Sequence, residues 1–211
     1  MNEDAHDEAN DRRFATALPA RCGPDRSPGN PACQTAAVTR IRRPARGEYP
    51  ESYEDYVAAV AGEDAWPELA TQLDEAERRL ARLPEARVLH RYAPGKWSVK
   101  EVIGHVTDNE RVFAYRALRF ARGDETPLPN FDENLFARTG RFDARPMADL
   151  LAELRAVRAA TVALFATFDD EALSRTGTAR GVRFTVRAMV WVTVGHVRHH
   201  LDVLRDRYGI D

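Results

Sequence analysis

Four stretches of the chain repeat apolar residues every three or four positions, and no stretch between them alternates with the period of two that a half-buried strand needs. That confines the fold to helices packed on helices. In the first stretch Trp66, Leu69, Leu73, Ala76, Leu80 and Leu83 share a face, with Pro67 in the first turn and Pro84 as the stop. The second opens at Ser98, followed three positions later by Glu101, which together make a capping box. Trp97, just before the cap, is placed to staple onto Val102. Val99, Val102, Ile103, Val106, Phe113 and Phe120 mark the apolar side, and Gly123 ends it. The third stretch covers residues 146–168, with Leu150, Leu154, Val157, Thr161, Leu164 and Phe168 on one stripe. The fourth starts at Thr185, an N-cap residue, and runs to Tyr208 before Gly209. A shorter helical segment spans residues 52–61. The expectation is an all-α four-helix bundle. Long connections at residues 123–145 and 169–184 leave room for a crossover, and the second of them has the turn residues of a short hairpin. The first contains Phe131-Asp132-Glu133, and loops of that length often close over a site.

Organisation changes before residue 48. Residues 1–47 carry Pro19, Pro24, Pro28, Pro31 and Pro44, and their larger apolar residues, Phe14, Leu18, Val38 and Ile41, follow no pattern. Such a segment buries too little surface to offset its ordering entropy, so the expected organisation is a disordered leader, 1–47, before a bundle domain, 48–211. Both cysteines, Cys22 and Cys33, fall in that leader at a spacing that fits no metal or redox motif. A formal net charge of −2 argues against a nucleic-acid partner. No apolar run approaches the ~18 residues of a membrane span. The start, Met1-Asn2-Glu3-Asp4, is acidic where a secretory signal would be basic and then apolar. A cytoplasmic protein acting on a small molecule is expected.

Of the six histidines, His6 lies in the leader, and His90, beside Arg91, reads as a surface or packing residue. His196 and His200 are four apart on the fourth helix, so their rings stack on one face, which continues inward through Met189, Thr193 and Val203 or Leu204. Two buried neutral imidazoles among apolar neighbours are costly, and a divalent cation at ~2.1 Å from both would remove the cost. A pair of satisfied core histidines fits that spacing equally well. His199 falls about 100° off the shared axis and points outward or to a partner. His105, on the interior stripe of the second helix, favours the metal. Gly104 and Gly195 each precede one of these histidines inside a helix, where glycine costs ~1 kcal/mol relative to alanine. They predict close backbone approach, with the two helices crossing near one point.

The segments Lys96-Trp97-Ser98-Val99-Lys100-Glu101-Val102-Ile103-Gly104-His105-Val106-Thr107-Asp108, Pro129-Asn130-Phe131-Asp132-Glu133 and Gly195-His196-Val197-Arg198-His199-His200 together resemble the DinB superfamily. Within it they are most similar to the YfiT-like metal-dependent hydrolases, also called bacillithiol-transferase-like proteins. The resemblance spans residues 50–208. It implies a bundle in an up-down-down-up order, commonly dimeric, and a divalent metal held by three histidines at the positions of His105, His196 and His200.

Three neutral imidazoles would leave the ion its full charge and an open position, as catalytic sites require. Zinc or nickel is expected first, and copper or iron also suits imidazole. Bound water or a thiol would be acidified, so the expected function is metal-dependent hydrolysis, or transfer of a low-molecular-weight thiol to a small electrophile. A strong excess of arginine over lysine, which occurs only at positions 96 and 100, fits a GC-rich genome and mycothiol as that thiol. A non-catalytic, stress-response metal-binding bundle is the alternative. Asp108 and Asn109 are the candidate catalytic or orienting residues, with Thr193 as a further orienting candidate. Asp132 and Glu133 either close over the site or cap a helix. Trp97 reads as a core anchor, and Arg78, Arg79, Arg155 and Arg158 read as solvated surface. Neither the Glu-x-x-His pair of di-iron bundles nor the HExxH of metalloproteases occurs, and the cysteines offer no nucleophile pair. A bis-histidine haem bundle is a weaker match than a bare ion.

Overall fold

The computed structural model describes residues 40–211. Its helices are α1 (Glu54–Ala59), α2 (Trp66–Leu80), α3 (Glu85–Val88), α4 (Val99–Ala121), α5 (Glu133–Thr139), α6 (Met147–Phe165), α7 (Asp170–Ser174) and α8 (Val186–Tyr208). A two-stranded antiparallel hairpin, β1 (Thr176–Ala179) and β2 (Val182–Thr185), precedes α8. No described helix is long and apolar enough to cross a membrane.

The capping box forms as the sequence predicts. The Ser98 hydroxyl accepts from the Glu101 amide at 3.0 Å, and the Glu101 carboxylate accepts from the Ser98 amide at 2.8 Å. At the start of α8 the Thr185 hydroxyl accepts from the Ala188 amide, and Gly209, at φ 62°, ends the helix. Such caps are worth about 1 kcal/mol each and fix where the two site-bearing helices begin.

The four long helices form the bundle, with α2 and α4 each packed mainly against α6 and α8. Ion pairs and side-chain hydrogen bonds give the directions. Arg155 meets Asp74 and Glu77 while Arg158 reaches Leu69 and Gln72, so α6 runs antiparallel to α2. Gln72 donates to the Val194 carbonyl and Arg79 to that of Leu201, so α8 runs parallel to α2. Tyr208 donates to the Trp97 carbonyl while His105 meets His196, so α4 opposes α8. The order is up-down-down-up, and the successive helices α2 and α4 lie across a diagonal. The connection of residues 81–98, which includes α3, makes that crossover.

Two apolar clusters fill the bundle. One gathers Phe113, Phe120, Phe165, Phe184, Met189 and Trp191, and the other gathers Val99, Val102, Leu150, Leu154, Leu201 and Leu204. On α4 and on α8 the clusters meet at the histidines. Each large side chain buried this way contributes about 1.5–3 kcal/mol.

Several expectations need correction. Ile41 is fully buried and accepts a hydrogen bond from the Trp191 indole at 3.0 Å, while Arg43 stacks on that ring and donates to the Val57 and Val60 carbonyls. The packed body therefore begins before residue 48, because this short segment covers the open end of the first cluster. Expected disorder at 1–39, with both cysteines, lies outside the described residues. The 123–145 connection holds a helix, α5, with Asp132 as its N-cap, accepting from the Leu135 amide at 3.0 Å. Arg158 is buried rather than solvated, in a bidentate pair with Glu110 at 2.7 Å on both oxygens. The glycines do allow close approach, but not to each other. A Cβ on Gly104 would strike the Phe142 ring at 2.3 Å, and one on Gly195 the Tyr56 carbonyl oxygen at 1.9 Å.

Candidate metal centre

His105 on α4 and His196 and His200 on α8 converge where the two apolar clusters meet. The Nε2 atoms of His105 and His196 lie 3.1 Å apart, and those of His196 and His200 lie 3.2 Å apart. All three residues offer a ring nitrogen within 4.8 Å of the other two. Nitrogens sharing one tetrahedral ion at ~2.1 Å sit about 3.4 Å from one another, close to the observed spacing. Among the described residues no other cluster of this kind occurs.

The surroundings hold these rings neutral. Burial lowers the His105 pKa to about 4, with the nearby His199 adding to the effect. Burial, then neighbouring imidazoles, lower His196 and His200 well below the ordinary value. Neutral rings cannot satisfy one another here. A proton on any one Nε2 serves one neighbour and leaves another pair facing lone pair to lone pair. The His200 Nδ1 is buried with no hydrogen-bond partner. A cation accepting all three Nε2 lone pairs removes the conflict, so the donor set fits a divalent metal.

Neighbouring aromatic groups fix the rings. Trp97 packs on His105 with centroids 4.4 Å apart, so the residue expected only as a core anchor also positions a candidate ligand. Phe113 and Tyr56 meet His196 edge-on at 5.5 and 5.4 Å. The Asn109 amide lies 3.0 and 3.2 Å from the two nitrogens of His105 and 3.1 Å from its backbone carbonyl. Near-equidistance from both ring nitrogens puts the amide over the ring face, where it blocks rotation.

Of the other candidates, Asp108 turns to Arg111 at 3.2 Å and makes no hydrogen bond to a histidine, although burial raises its pKa. The Thr193 hydroxyl donates to the Met189 carbonyl and orients no ring. His199 is exposed, as its angle predicts, and His90 is exposed beside Tyr208. Asp132 and Glu133 reach the mouth of a cavity of about 670 Å³ beside the triad, which His196, Asn109, Tyr56 and Phe113 line from within. A second cavity, about 310 Å³, reaches His200 from the side of Trp97 and Tyr208. Sequence reasoning missed Tyr56, Arg116 and Arg180 in the larger cavity. Only the glycine at 195 signalled that some backbone, here that of Tyr56, must pass close by.

A family model described as the DinB superfamily matches residues 68–204, well over half of the chain. No functionally curated protein matches the sequence. Among solved structures, YfiT from Bacillus subtilis, described as a probable metal-dependent hydrolase with an unusual four-helix bundle topology, aligns with a TM-score of 0.61 at 18% identity. That alignment covers 80% of this chain and 94% of YfiT. A mycothiol-dependent maleylpyruvate isomerase aligns with a TM-score of 0.52, also at 18% identity, over 71% of this chain and 60% of its own. At such identity the two likenesses concern the fold.

Proposed function

The chain belongs to the DinB superfamily, and on that basis we propose that it is a metal-dependent enzyme in which His105, His196 and His200 hold one divalent ion, zinc or nickel before copper or iron. One observation carries the proposal: three neutral imidazoles, two buried and one half-buried, bring their Nε2 atoms together beside a cavity large enough for a small molecule. Closed structural zinc sites take four protein ligands, whereas three with an adjoining cavity is a catalytic pattern. A bound ion supplies a Lewis acid that acidifies a water or thiol and polarises a carbonyl.

The chain's own residues do the rest. Trp97, Asn109, Phe113 and Tyr56 lock the rings, so little reorganisation accompanies binding. The larger cavity would place a substrate against His196. Two chemistries share this site: hydrolysis, and transfer of a low-molecular-weight thiol to a small electrophile. The structural neighbours are in keeping with metal and thiol chemistry, one being a probable metal-dependent hydrolase and the other a mycothiol-dependent isomerase. The substrate is a small cytoplasmic molecule, not nucleic acid or membrane.

Turnover of monochlorobimane with several low-molecular-weight thiols, followed in zinc-loaded, nickel-loaded and metal-free protein, tests the transfer branch. A panel of esters and amides tests the hydrolytic one. Metal-dependent turnover lost in His196→Ala is the expected result. Equal rates with and without metal would overturn the proposal.

A further inference from the structure

Most buried or half-buried arginines in this fold grip a carboxylate. Arg158 holds Glu110, Arg187 holds Glu48, and Arg198 holds Glu68 and Glu75. Two arginines that line the larger cavity, the buried Arg116 and the exposed Arg180, do not. Arg116, only 3% exposed, donates to the Pro129 carbonyl at 3.0 Å, and Arg180 donates to the Tyr53 hydroxyl at 2.9 Å. Among the described residues neither has a carboxylate within 4.0 Å. A guanidinium carries five N–H donors, so each keeps several for a ligand.

Backbone geometry points the same way. Arg180 occupies the tip of the β1–β2 hairpin at φ 56°, followed by Gly181 at φ 77°. Asn or Gly is the usual residue at the first tip position, and a long side chain there costs about 1 kcal/mol or more. The tip is tied down, with the Arg180 amide donating to the Leu128 carbonyl at 3.1 Å and the Leu128 amide to the Thr178 carbonyl at 2.9 Å. An uncommon conformation is thus held so that a cation reaches the cavity that His196 lines. Burial holds the Arg116 guanidinium below its ordinary pKa, with the Arg180 charge adding to the effect, so an anion brought against Arg116 would offset that cost.

We propose that Arg116 and Arg180 form the recognition site for a carboxylate on the substrate, which makes the substrate class small unsaturated or aromatic carboxylic acids. This rests on the larger cavity being the substrate site proposed above. Tyr53, Tyr56, Phe113 and Phe131 supply flat apolar walls for the rest of such a molecule, and Arg116 also faces the Phe131 ring at 5.7 Å. Arginine forks match carboxylate and phosphate alike. Asp132 and Glu133 at the mouth select between them, because a phosphate monoester near a double charge meets more repulsion from them than a monoanion does.

Calorimetric titration of EDTA-treated protein with benzoate, its neutral isostere benzamide, and phenyl phosphate tests this without any metal for the carboxylate to ligate. Benzoate is expected to bind at least about tenfold tighter than benzamide, the difference a charge-assisted hydrogen bond makes. Arg180→Gln, at an exposed position, should abolish most of that preference, and Arg116→Gln should do the same if circular dichroism shows it folded. Equal affinity for benzoate and benzamide, an undiminished preference in Arg180→Gln, or tighter binding of phenyl phosphate would each overturn the proposal. Failure of the metal reading would leave these affinities unchanged, so the two can fail separately.

Discussion

Helix α4 carries two buried polar clusters little more than a turn apart, and they are built on opposite principles. Around Glu110 every group is served. Arg158 gives both oxygens of that carboxylate a 2.7 Å bond and spends its third nitrogen on the Leu69 carbonyl and the Gln72 amide oxygen, while Gln72 donates to the Val194 carbonyl. Around His105 the three Nε2 atoms crowd together, and the His200 Nδ1 has no partner. A saturated network ties α2, α4, α6 and α8 to one another and needs nothing further. An unsaturated one is stable only through the packing around it and gains when a ligand arrives.

That contrast fixes what each region should do when perturbed. Arg158→Ala leaves the Glu110 charge buried and unpaired, and should cost about 3–5 kcal/mol in denaturant unfolding. A much smaller loss would mean that the first cluster is not the closed unit described. Acid should strike the second cluster instead. Its rings are neutral in the fold, His105 with a pKa of about 4, but take up protons near 6.5 once unfolded. The unfolded state therefore binds more protons below pH 6.5, and stability falls with pH through that window towards 4. In metal-free protein the loss from pH 7 to 5.5 should be about 1 kcal/mol for each ring, and His196→Ala should flatten the slope.

Zinc at a hundredfold excess over its dissociation constant should stabilise the protein by about 2.7 kcal/mol, seen as a raised melting temperature. The same addition to Arg158→Met, where it folds, should give a similar gain, since the first cluster takes no part. Asn109→Ala should weaken zinc binding about tenfold with little change in metal-free stability, the signature of a residue that positions a ligand. His200→Ala in metal-free protein should have the smallest effect, within about 1 kcal/mol of neutral, because it removes a half-buried ring whose Nδ1 has no hydrogen-bond partner.

The same two clusters show what was legible in the sequence. His196 and His200 announce a shared face by spacing alone, and Ser98 with Glu101 fixes the phase of α4, which carries His105 inward. Arg158 could not be read. It sits one position from Val157 on an otherwise apolar stripe, and only a partner 48 residues away, Glu110, makes its burial tolerable. Ile41 was lost for a related reason, since its burial depends on Trp191 at the far end of the chain. Helix α5 was hidden inside a proline-containing connection although Asp132 is an ordinary N-cap. Arg116 and Arg180 line one cavity only because the hairpin folds back onto α4. Local pattern thus carried the helices and the candidate ligands, and long-range pairing decided the cavity.

The most direct test is elemental analysis of the protein purified without added metal, beside His105→Ala, His196→Ala and His200→Ala. The account predicts close to one divalent transition metal per chain, zinc or nickel, falling sharply in each variant while helical content persists. A metal-free wild-type protein that also takes up neither ion on dialysis, or a metal content indifferent to all three substitutions, would contradict it.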